Sequence, residues 1–195
     1  MANVNNPRGF VPVSHLTGGL IRQQEYRIKS GYASDIFAGD AVVTDTSNYS
    51  RYINVATAGS SLLLGVFAGC RYTQSDGSTI FSPRWIASTA PQGAGDAFAL
   101  VYDDPRIVYE AQVSASAGLV AANIGGQANL TAATAGNTTT NVSGQMLDQT
   151  TIVHNGGKHF KILDLVRRDD NAFGQYAKAL CVISQSELQA VLPNV

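Results

Sequence analysis

The sequence predicts a mainly β protein: a barrel or sandwich core with an extended N-terminal arm and a short C-terminal helix. Two observations carry this. Short runs of β-branched and bulky apolar residues recur along the chain, and Gly, Asn, Asp and Ser sit between them where the chain must turn. The 19 glycines agree with many turns and little helix. At 195 residues the chain is long enough to bury a substantial core. The expected division is residues 1–19 as the arm and 20–195 as one β-rich domain, with 114–144 as an elaborated subregion.

Taken in order, residues 1–19 hold Pro7 and Pro12 and almost no periodicity, which favours extended backbone. The apolar beads Phe10, Val11, Val13 and Leu16 would be out of place on a free tail. They are the candidate protein-interaction residues, lying against a neighbouring subunit or, as the alternative, against their own domain. Residues 24–29 alternate as a strand, with Tyr26 and Ile28 on one face. Residues 36–72 form the organising stretch, where Phe37-Ala38-Gly39 returns as Phe67-Ala68-Gly69 and strands pair with one another. Asp76-Gly77 predicts a hairpin tip between Arg71-Tyr72 and Ile80-Phe81. Trp85, the single tryptophan, is read as an interface or core anchor. Residues 97–102 and 106–113 are strands joined by the Asp103-Asp104-Pro105 turn, with Ile107, Tyr109 and Ala111 on one face. Residues 114–144 are rich in Gly and Thr, which disfavours helix. Residues 160–166 and 178–183 are strands, and Ser186 caps a helix over 187–192 that Pro193 ends.

Composition narrows the function classes. Charged residues are only 14% of the chain and the net charge is -1, against a usual charged share of roughly 25%. No basic run exceeds Arg167-Arg168, so the footprint of a nucleic-acid binder is missing. No apolar run approaches the ~20 residues of a membrane-spanning helix. The opening MANVNNPRGF lacks a charged start followed by an apolar segment, so no secretory signal is expected. Cys70 and Cys181 each sit in an apolar run and read as reduced buried thiols, with a disulfide between them as the alternative.

The residues offer little to catalysis. His154 and His159 lack further ligands at metal-site spacing and read as a surface turn ahead of a strand. Asp103-Asp104 and Asp169-Asp170 are adjacent on extended chain, where side chains point to opposite faces. They read as turn residues or partners of Arg106, Arg167 and Arg168. No G-x-S-x-G elbow or phosphate loop is present. The expectation is a protein without catalytic residues, cofactor or metal.

Several motifs resemble a family of tailed-bacteriophage capsid decoration, or cement, proteins. They are Asn6-Pro7-Arg8-Gly9-Phe10 with Pro12-Val13, Gly39-Asp40-Ala41-Val42, Leu64-Gly65-Val66-Phe67-Ala68-Gly69-Cys70, Asp103-Asp104-Pro105 and Asn171-Ala172-Phe173-Gly174. The resemblance implies a virion structural protein, made in the host cytoplasm, that binds the outside of an icosahedral capsid. There it would cement neighbouring copies of the major capsid protein, often as a homotrimer. It brings no active-site residues with it. The alternative is a tail or surface β-module that binds a receptor or glycan.

Overall fold

In the computed structural model, which describes residues 3–47, 51–131 and 135–189, the β-branched runs become short antiparallel strands. In chain order these are β1 (Val11–His15), β2 (Gln24–Ile28), β3 (Ile36–Phe37), β4 (Ala41–Thr44), β5 (Ile53–Val55), β6 (Gly65–Thr73) and β7 (Thr79–Ser82). They continue with β8 (Arg84–Trp85), β9 (Ala97–Tyr102), β10 (Ile107–Gln112), β11 (Gln127–Ala128), β12 (Phe160–Leu165) and β13 (Lys178–Ile183). Among the described residues the only helical pieces are short 3-10 turns at Gln92–Ala94, Ala121–Asn123 and Gln149–Thr151.

The strands form a five-stranded sheet, β1-β10-β13-β12-β11, and a second sheet, β2-β9-β6-β4-β5, with β7 also on β6. β3 and β8 make a small ribbon. The long β6 serves two partners in succession, β4 at Gly65 and Val66 and β7 from Cys70 to Thr73. The second sheet also curls back on itself. Arg27 N–H donates to the Arg51 carbonyl at 2.9 Å, and Arg27 bridges Tyr52 in parallel, so β2 meets the chain just ahead of β5.

Side chains alternate along a strand, so consecutive residues of the curled sheet enter different cores. Ala41 and Val66 face the five-stranded sheet and join Phe10, Tyr109, Phe160 and Ile162. Val42 and Phe67 face the other way and join Ile28, Val101 and Trp85. The curled sheet therefore encloses one core and lays its outer face against the other. Cys70 and Cys181 belong to opposite cores and are free thiols.

The hairpin at Asp76-Gly77 forms as the dipeptide predicts: Gly77 takes φ +84° and its N–H donates to the Gln74 carbonyl at 2.9 Å. The Asp103-Asp104-Pro105 turn does something else. β9 and β10 do not pair; the turn hands the chain from the curled sheet to the five-stranded one. At the C-terminal end, Leu188 N–H donates to Ser186 Oγ at 3.2 Å, the capping contact expected of that serine. Residues 187–189 nonetheless form a turn and a bend rather than helix. The remaining positions of the expected helix, 190–192, lie outside the described residues.

The arm runs along its own domain. β1 pairs with β10, Asn3 exchanges hydrogen bonds with Ala172, and Asn6 N–H donates to the Gln112 side chain. Phe10, expected as a contact to a neighbour, is instead fully enclosed and stacked on Phe160. Burying the ring removes its apolar surface from water, and pairing with the edge of β10 satisfies the arm's backbone; together these offset the cost of ordering the arm.

Candidate functional site

Beyond Phe10 the arm changes character. Val11 and Pro12 pair with Glu110 and Tyr109, and Ser14 and His15 with Val108 and Ile107. Val13 is the extra residue of a β-bulge, and such a residue is turned away from the ladder. It is 44% exposed, while Val11 is half-buried.

His15 then fixes the connection that follows. Its Nδ1 accepts N–H bonds from Thr17 at 3.3 Å and Gly19 at 3.1 Å, which leaves the proton on Nε2. Nε2 donates to Asp104 Oδ2 at 3.0 Å. Partial burial pushes the Asp104 carboxyl up, but bonds from the Arg106 N–H and the His15 ring outweigh it and hold the group below its usual range. The arm is thus tied to the β9–β10 turn, and Leu16, Leu20 and Ile21 are left facing solvent at 53%, 83% and 37% exposure. Leu16 also borders a groove of about 510 Å³ shared with Pro105, Val182 and Leu188. An ordered connection that presents three large apolar side chains beside a groove of mixed lining, which also holds Asp104, Arg106 and Lys161, is suited to adhesion. Water gains when such a surface is covered.

Of the expected interaction residues, Val13 and Leu16 belong with Leu20 and Ile21 to an exposed apolar crest along residues 13–21 of the chain, Val11 is half-buried and Phe10 is in the core. Leu20 and Ile21 were not singled out in the sequence. The apolar residues flanking Gly18-Gly19 were the available signal. Trp85 is fully buried, packed edge-on against Tyr72 at 5.8 Å, with its indole N–H donating to the Tyr32 carbonyl. It anchors the core inside the curled sheet.

Most of the polar residues weighed for chemistry are occupied in holding the fold, while Asp169 is exposed and unpaired among the described residues. His159 is not on a surface turn. It is buried, accepts the Leu130 N–H on Nδ1 and bonds the Ser60 carbonyl through Nε2, and burial lowers its pKa. His154 is exposed and bonds the Ala122 carbonyl. Asp103 accepts the Tyr26 hydroxyl, and Arg168 pairs with Asp170 and Glu110. Among the described residues, no group of three or more His, Cys, Asp or Glu side chains comes together as a metal site. Burial pushes the Cys70 thiol up to about 12 and the Cys181 thiol higher still, which disfavours a reactive thiolate.

A second polar cluster, unmarked in the sequence, gathers around Asp40. Its carboxyl accepts the Phe37 N–H at 2.8 Å, and burial pushes its pKa up to about 6 against the opposing bonds from Ser143 and Phe37. Gln145 beside it accepts the Ala41 N–H at 2.8 Å and donates to the Ala56 carbonyl at 3.2 Å. These bonds pin residues 143–145 to β4. Asp40 and Gln145 also border a cavity of about 530 Å³ with Tyr32 and Phe37.

Compared with known protein families, curated proteins and solved structures, the chain gives no match.

Proposed function

We propose that the chain is a non-catalytic virion structural protein that binds the outside of an icosahedral capsid and cements neighbouring major capsid subunits. The observation that carries this reading is the exposure of four apolar side chains along the crest, Val13, Leu16, Leu20 and Ile21, on the stretch that the His15–Asp104 bond anchors to the β9–β10 turn. An adhesive protein needs such a surface, and it needs the surface rigid so that little ordering entropy opposes contact. Binding only the assembled shell stabilises that shell by mass action, and many identical weak contacts sum over the particle. Self-association as a homotrimer belongs to the same proposal. The engagement of His15, His154 and His159 in fold-holding bonds favours adhesion over catalysis. The glycan-binding reading loses its best aromatic platform, because Trp85 is enclosed.

The test is the number of copies of this chain in purified virions relative to major capsid subunits. Near-stoichiometric copies support a shell component. A handful would point to a tail or portal, and none would overturn the proposal. The surface is tested separately with the Leu16→Ser/Leu20→Ser double variant, which should stay folded and stop co-sedimenting with capsids. Undiminished co-sedimentation would remove the crest from the interface. Deleting the arm is a poor test, because it would also remove Phe10 from the core.

A further inference from the structure

Asn155-Gly156 is the sole Asn-Gly pair in the chain, and Asp76-Gly77 the sole Asp-Gly pair. Both dipeptides are prone to the same intramolecular reaction, in which the glycine nitrogen attacks the preceding side-chain carbonyl carbon. Glycine permits it because no Cβ blocks the approach. The fold treats the two sites in opposite ways.

At Asp76 the reaction is blocked twice. The Gly77 nitrogen is engaged, donating to the Gln74 carbonyl. The Asp76 carboxylate accepts both the N–H and the hydroxyl of Ser78, at 2.8 and 2.6 Å, and those bonds hold its pKa below the usual range. An ionised, tethered carboxylate is a poor electrophile.

At Asn155 both restraints are missing. Val153 exchanges backbone hydrogen bonds with Gln127, and Lys158 N–H donates to Gln127 Oε1 at 3.1 Å, so one residue pins both ends of the loop. Between these pins, residues 154–157 are all exposed. His154 is tied to the Ala122 carbonyl, but among the described residues neither the Asn155 side chain nor the Gly156 N–H has a hydrogen-bond partner. The nucleophile and the electrophile are both free, in water, on a loop with room to turn.

We propose that Asn155-Gly156 is a site of spontaneous succinimide formation and deamidation. The Gly156 nitrogen forms a bond to Asn155 Cγ, the Cγ–Nδ2 bond breaks, and the departing nitrogen leaves as ammonia with the former Gly156 amide proton. Water then opens the ring at either carbonyl, giving aspartate or isoaspartate at position 155. No oxidant, reductant or enzyme is needed. The product adds a negative charge three residues before Lys158. In its isoaspartyl form it also lengthens the loop backbone by one atom between the two residues held by Gln127.

The experiment ages the full-length folded protein in mildly alkaline buffer beside the same protein unfolded in urea. Peptide mass mapping follows the gain of about 1 Da at position 155, and isoaspartyl methyltransferase labelling identifies the isoaspartyl product. The expected result is conversion in the folded protein within a few-fold of the unfolded rate, with Asp76 remaining normally linked. Protection of Asn155 in the folded state by more than about tenfold would overturn the proposal, since a loop this open should offer no such barrier. Gly156→Ala should suppress conversion while leaving the fold intact, because the new methyl falls 2.9 Å from Val153 Cγ2 and overlaps no backbone, and that side chain is exposed and can turn aside. Asn155→Gln should suppress it as well. Conversion at the same rate in both variants would show that the mass gain arises elsewhere and would also overturn it.

Discussion

Phe10 and Phe160 lie face to face, ring centroids 4.0 Å apart and planes within 10°, both fully buried beneath the five-stranded sheet. The stack joins the start of the chain to the first residue of β12. It makes the arm part of the fold rather than an appendage to it.

Phe10→Ala should therefore destabilise the protein by about 3–5 kcal/mol, the range for removing a fully enclosed aromatic ring. Denaturant unfolding measures this directly. A change under about 1 kcal/mol would mean that the arm peels away from the domain in solution.

Substitutions on the crest should behave in the opposite way. Leu20 is 83% exposed, so Leu20→Ser should move the unfolding free energy by less than about 0.5 kcal/mol. The same denaturant series provides the comparison with Phe10→Ala.

Asp40 should leave a signature in the pH dependence of stability. Its folded pKa, about 6, stands above the 3.8 of a free aspartate, so the folded state holds the proton more tightly than the unfolded one. Stability from this group is complete below about pH 4 and falls as pH rises through the folded value, by on the order of 2–3 kcal/mol. Asp40→Asn keeps an oxygen for the Phe37 N–H and has no charge to bury. Its stability relative to the parent should rise between pH 4 and about 6.5 and then level off. A constant difference across that range would contradict the assignment.

Gly65 opens β6 where the backbone of β9 passes closest. A Cβ there would fall 2.2 Å from the Tyr102 carbonyl oxygen and 2.9 Å from Asp103 Cα. Both are main-chain atoms that cannot turn aside, so Gly65→Ala should cost more than about 2 kcal/mol. Thermal unfolding of the variant tests it.

Neither thiol should react in the native state. Cys70 and Cys181 are buried in separate cores, and a thiol kept neutral by burial is inert toward disulfide reagents. Titration at mildly alkaline pH should find no reactive thiol in the folded protein and both after denaturation.

Much of the strand pattern was legible because it is local. The runs at Ala97–Tyr102 and Lys178–Ile183 have the bounds that alternation and β-branching predict, and Asp76-Gly77 specifies its own turn. Other features depended on distant partners. Asp103-Asp104-Pro105 has the same turn chemistry whether it closes a hairpin or passes between sheets, and only the curl of the second sheet decides which. Phe10 in a proline-bearing stretch gave no sign that Phe160 awaited it. His159 could not be placed inside until Ser60 and Leu130 were found to enclose it. Asp40 offered only a Gly-Asp step, and its burial comes from the residues 143–145 that close over it. The crest was half visible: Val13 and Leu16 were marked as contacts, whereas nothing before folding separates them from Phe10.

The pairing of β1 with β10, itself backed by β13, has a consequence for synthesis. Domains fold as units while the ribosome works from the N-terminal end. Here the opening strand has no completed sheet to join until residues 178–183 have left the exit tunnel. Until then Phe10 and its neighbours remain without their final partners, so the nascent polypeptide should need shielding up to that point, and a product truncated before it should be a target for proteolysis.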